Sequence, residues 1–127
     1  MPTGPEVSND LYRNMRMALQ GLATEVGTGT ASSAAVTIND LFGLITTEAL
    51  TTAQNAIATV TLTNNKVAVG DLVFWSIGDG TNTQGTPMAM QATISANTIV
   101  FEIANKHATA EAFNGTLLIR FMVVKAL

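Results

Sequence analysis

The sequence of 127 residues contains no cysteine, one histidine, one tryptophan, one tyrosine and three prolines, and only 12% of its residues are charged. Without cysteine, disulfides, thiolate nucleophiles and thiolate metal sites are excluded. The single histidine, His107 in NKHATAEAF, comes with no motif supplying a nucleophile, an orienting group or further metal ligands, so it reads as a loop histidine. Six basic residues, scattered along a chain of net charge −3, form no cluster able to neutralise phosphates, which argues against nucleic acid as a partner. No stretch approaches the roughly 18 continuous apolar residues of a membrane span. The N-terminus MPTGPEVSND lacks the basic-then-apolar order of a secretory signal, so the chain is expected in a cytoplasm until it assembles.

What is present is apolar. Hydrophobic residues make up 47% of the chain, and the polar remainder is rich in Thr, Asn and Ser, which suit strands and turns better than helices. So few charges leave a surface poorly defended against association. The length fits one compact domain.

The stretch from Gly115 to Leu127, GTLLIRFMVVKAL, alternates as a strand does and yet is apolar on both faces. Leu117, Ile119, Phe121 and Val123 make one face; Leu118, Met122 and Val124 make the other, interrupted by Arg120 and Lys125. Such a strand needs cover twice, and so short a chain has little left for a second layer. The expected second cover is another copy of the protein, through an interface containing Phe74, Leu118, Arg120, Met122 and Val124. Arg120 has two readings: it pairs with an acid such as Glu102 of a neighbour around a three-fold axis, or it reaches water from an exposed strand end.

Upstream, Met1 to Val7 holds Pro2, Gly4 and Pro5 and reads as an extended arm. Ser8, Asn9 and Asp10 offer caps to a helix from about Asn9 to Glu25, whose stripe is Leu11, Met15, Ala18, Leu19 and Leu22. That helix either packs on its own domain or inserts onto a partner surface. The small-residue stretch Gly27 to Ala35 reads as a hinge, and Val36 to Gly43 fits either a single helical turn or a short edge strand. From Leu44 onward the pattern is β: Leu44 to Leu50, Ala56 to Thr63, Leu72 to Ile77, a strand marked by Met88, Met90, Ala92 and Ile94, then one with Ile99, Phe101 and Ile103 inward. Asn64-Asn65 and Ala96-Asn97 are turns, Asn being tolerant of positive φ. Six or seven strands without helical crossovers predict an antiparallel β-sandwich of jelly-roll type over residues 36–127, preceded by the arm, helix and hinge of residues 1–35.

Chemistry is sparse. Gly78-Asp79-Gly80 with Asn82 has one carboxylate, too few for a calcium loop, and no Lys or helix follows to make a phosphate cradle. The nine acids are dispersed, which leaves no evident pair for glycoside cleavage, and no cofactor is expected. Phe74 and Trp75 lie in an apolar strand, where at least one belongs in the core; Trp75 stacking on a sugar is the alternative.

Thr47 to Ala53 (TEALTTA), Thr59 to Asn64 (TVTLTN), the loop Gly78 to Pro87, and Asn114 to Val123 (NGTLLIRFMV) resemble the strand and turn patterns of the small head-decoration proteins of tailed bacteriophages. The resemblance covers the last two thirds of the chain and implies a jelly-roll-like protein, commonly trimeric, that sits on the capsid exterior and bridges major capsid subunits. It therefore implies a structural virion protein, not an enzyme. Its partner would be the major capsid protein, reached here through the arm and first helix: Val7, Leu11, Tyr12, Arg13, Met15, Arg16 and Leu19. Phage fibre tips share the style, so a receptor-binding module using the GDGTNTQGTP loop and Trp75 on host glycan is the second expectation.

Overall fold

The computed structural model describes Arg13 and residues 27–127. Among the described residues eight strands form: β1 (Gly27–Thr30), β2 (Ala35–Thr37), β3 (Phe42–Thr46), β4 (Ile57–Thr63), β5 (Leu72–Asp79), β6 (Pro87–Ser95), β7 (Thr98–Asn105) and β8 (Leu117–Val124). They make two sheets of four, ordered β1-β3-β8-β5 and β2-β4-β7-β6. The alternation in sequence explains the sandwich directly. Ile45, Leu117, Ile119, Phe121 and Val123 from the first sheet meet Val60, Leu62, Ile99, Phe101 and Ile103 from the second in one core. Trp75 of β5 packs on Phe101 with ring centroids 5.0 Å apart, and Phe101 in turn lies 6.1 Å from Phe121.

The sheets are mixed, which corrects the antiparallel expectation. β1 runs parallel to β3 and β2 parallel to β4, while the other pairs are antiparallel. Parallel neighbours need a long crossover, commonly a helix. Here a strand does that work: the chain passes from β1 through β2 in the opposite sheet before returning as β3, and from β2 through β3 before β4.

The small-residue stretch is therefore not a hinge. Its first half is β1, so the sandwich already includes Gly27–Thr30, ahead of the boundary expected at residue 36. Lack of side chains is what admits it. A Cβ on Gly27 would fall 2.4 Å from Ile38 Cγ2, and one on Gly29 2.6 Å from Val36 Cγ2. Val36 to Gly43, left open between turn and strand, supplies β2 and the start of β3. The arm and the helix expected over residues 1–25 lie outside the described residues, apart from Arg13, which is exposed.

Two turn readings had different outcomes. Asn97 does adopt positive φ, at 59°, between β6 and β7. Asn64 does not; it is fully buried and turns the chain with its side chain, Nδ2 donating to the Asp40 carbonyl at 2.6 Å and Oδ1 accepting from Lys66 N–H at 3.1 Å.

Candidate functional site

Because β8 is central in its sheet, its two faces meet different surroundings. Leu117, Ile119, Phe121 and Val123 are sealed in the core, while Met122 and Val124 point outward and are 36% and 39% exposed. Cross-strand register shows what joins them. Phe42, Met122 and Phe74 form one row across β3, β8 and β5; Leu44, Arg120 and Ser76 form the next; Thr46, Leu118 and Gly78 the third; Val124 stands beside Leu72. The outer face of the first sheet is thus a continuous apolar surface with one charge at its centre. On β5, Leu72 and Phe74 are 59% and 58% exposed.

This surface brings together all five residues expected at an interface, and adds Phe42, Leu44 and Leu72, which sequence reading did not select. Leu44 and Leu72 had been placed on strands, but which face they occupy is set by pairing, and pairing is not written in local alternation.

Arg120 makes no ion pair or hydrogen bond among the described residues. Its guanidinium lies over Gly78, with Nη1 3.5 Å from where a Cβ would sit, an ordinary van der Waals separation. Glu102 is half-buried on the outer face of the second sheet, between Thr59 and Gln91. The two outer faces point in opposite directions. A contact from Arg120 of one copy to Glu102 of the next would stack molecules in an open series and would not close around a three-fold axis, so that pairing is not retained.

The remaining candidates are occupied by local bonds. Asp79 Oδ1 accepts from Asn82 Nδ2 at 3.0 Å, and Asn82 also donates to the Gln84 carbonyl and accepts from Asn114 N–H. Among the described residues no group of three metal-ligating side chains converges. His107 Nδ1 lies 3.0 Å from Thr86 Oγ1 and its Nε2 3.4 Å from Glu111 Oε2, an order that outwardly suggests hydroxyl, base and orienting acid. The donors an oxyanion would need are spent, however: Gly85 N–H on Glu111 Oε1 and Thr86 N–H on Asn105 Oδ1. The Glu111 partnership was not recognised in the sequence, although the four-residue spacing from His107 was there to see. Trp75 is half-buried, with its ring packed on Phe101 at 5.0 Å. An open cleft of about 410 Å³ beside Thr47 to Thr52 and β4 contains one acid, Glu48, which accepts from Ala34 N–H at 2.7 Å.

No family model, curated protein or solved structure matches this chain. Function has to be argued from the surface itself. Fully covering a large apolar side chain is worth about 1.5–3 kcal/mol, so the half-exposed Leu72, Phe74, Met122 and Val124 would return about 1 kcal/mol each. Association costs about 4–15 kcal/mol in lost freedom. One such face meeting one partner binds weakly, and firm association needs repeated contacts or further bonds.

Proposed function

We propose that this chain is a structural protein of a bacteriophage head, a decoration protein that associates with copies of itself and bridges major capsid subunits on the outer surface. The observation that carries the reading is the apolar outer face of the first sheet, where Phe42, Leu44, Phe74, Leu118, Met122 and Val124 surround Arg120. A face of this kind is an association surface, and its weakness in a single contact suits a symmetric multimer engaging a rigid lattice at several points. The two-sheet sandwich, with β8 seated between β3 and β5 and β7 between β4 and β6, supports the reading, while the parallel pairs β1/β3 and β2/β4 depart from an antiparallel jelly roll. In this reading the multimer is a trimer, the five residues Phe74, Leu118, Arg120, Met122 and Val124 belong to its interface, and residues 7–19, including the exposed Arg13, reach the capsid.

Met122→Asp tests the interface, since it places a carboxylate in the middle of the apolar row between Phe42 and Phe74. Light scattering should find monomer or aggregate in place of the native oligomer. An oligomer of unchanged mass would refute this interface. A cryo-EM map of the source particle tests the location: sandwich density outside the shell is expected, and its absence from the head would sink the capsid role.

A further inference from the structure

A sheet edge presents unpaired N–H and C=O groups, and proteins blunt such edges by shortening them, bulging them, or placing proline or charge along them. Among the described residues the sandwich has four edge strands. β1 and β2 are four and three residues long. β6 is longer, but it begins at Pro87 and is bulged between Ala89 and Gln91. β5 has none of these devices. Its eight residues, LVFWSIGD, pair with β8 in unbroken register, carry no proline and no lysine or arginine, and reach a charge only at the terminal Asp79. Among the described residues three edges are protected, and β5 is the apolar edge without such protection.

We propose that β5 is the site at which a second copy of this chain adds on, the two β5 strands pairing antiparallel about a two-fold axis to make one continuous eight-stranded sheet. The side chains favour a copy of β5 over an unrelated strand. Its outer face reads Leu72, Phe74, Ser76, Gly78, large at one end and small at the other. Centred on Trp75, antiparallel pairing sets Phe74 of each copy opposite Ser76 of the other and Leu72 opposite Gly78, so bulk meets space on the outer face, while on the inner face Trp75 meets its own copy and Val73 meets Ile77. The same register sets Asp79 opposite Asp71, whose charge Lys125 already compensates. Edge hydrogen bonds supply what the half-exposed apolar face lacks. This contact goes beyond the face-mediated association proposed above and does not require it.

The absence of cysteine makes the test direct. Full-length Phe74→Cys/Ser76→Cys should oxidise to a covalent dimer, whereas Asn65→Cys, on an exposed turn, should not. Ser76→Lys, a charge on the open edge beside Arg120 in the register, should leave the protein folded by circular dichroism and weaken dimerisation at least tenfold by sedimentation. A monomer at 100-fold the working concentration, or equal crosslinking of both cysteine variants, would overturn the proposal. An oligomer broken by Met122→Asp and untouched by Ser76→Lys would also overturn it while keeping the face reading. The reverse pattern would support the edge and remove the face as the oligomer contact.

Discussion

Asn105→Ala is the sharpest test of how the loop end of the sandwich is held. Asn105 is fully buried at the end of β7, and its amide bonds four backbone groups from three segments. Nδ2 donates to the carbonyls of Thr52 at 3.0 Å and Glu111 at 2.7 Å, while Oδ1 accepts from Thr86 N–H at 3.1 Å and His107 N–H at 3.2 Å. Alanine removes all four bonds and supplies no replacement. At about 0.5–1.5 kcal/mol net for each, the loss is about 2–6 kcal/mol. Water entering beside the exposed Thr86 should recover part of it, which places the expected cost near 3 kcal/mol. For a domain of this size that lowers the melting temperature by about 12–24 °C. In urea the midpoint should fall by about 1–3 M at unchanged slope. Asn105→Asp separates the contributions, because it keeps the acceptor for Thr86 and His107 and loses both donors. A loss below about 1 kcal/mol for alanine would refute the claim that this amide ties the three segments together.

Acid stability should depend on Asp71. Its carboxyl is held down to about 2, from 3.8, first by the Lys125 bond and then by the N–H groups of Ala126 and Ala68. A folded-state value below the unfolded one gives stability that is present above about pH 4 and is lost as pH falls towards 2. Asp71→Asn should therefore flatten the fall in melting temperature between pH 5 and pH 2, and a fall as steep as that of the parent protein would contradict the assignment. Gly43→Ala should destabilise by about 1–3 kcal/mol through overpacking, since its Cβ would meet the Phe121 ring at 2.3 Å; an unchanged urea midpoint would mean the ring moves freely.

The core was legible because period-two alternation survives wherever a strand is covered on one side. Ala58, Val60 and Leu62 are buried as that pattern requires, and so are Ile99, Phe101 and Ile103. The pattern failed where geometry breaks the period. The bulge at Ala89/Gln91 turns Met88 and Met90 outward, to 51% and 50% exposure, although they alternate in sequence with Ala92 and Ile94, which pack inward. It also failed where side chains are nearly absent. Gly27 to Thr30 has no hydrophobic signal to read, and its place in the sheet follows from the close approach its glycines allow to Val36 and Ile38. Asn105 and Asn82 leave no signal in local sequence, because a buried amide shows its worth only through partners distant in sequence.

The two outer faces of the sandwich differ in a way that bears on how copies meet. The second sheet presents Thr59, Thr61, Thr63, Thr93 and Ser95 around Glu102 over most of its outer face, with Ile57, Met88 and Met90 exposed towards one end. The first presents Phe42, Leu44, Phe74, Met122 and Val124 around Arg120. Joining unlike faces would build an open stack, and it would leave apolar side chains against hydroxyls that prefer water. Joining like faces covers apolar area with apolar area and leaves Thr59, Thr61, Thr63, Thr93 and Ser95 in solvent. Contact between first sheets brings arginines of like charge together, which is tolerable only if each stays solvated at the rim of the contact or finds an anion. Arg120 thus acts against any register that centres it on the symmetry axis, and Arg120→Leu should increase association while broadening the distribution of oligomer masses. Tighter association with a single sharp mass would refute a role for this charge in choosing the register.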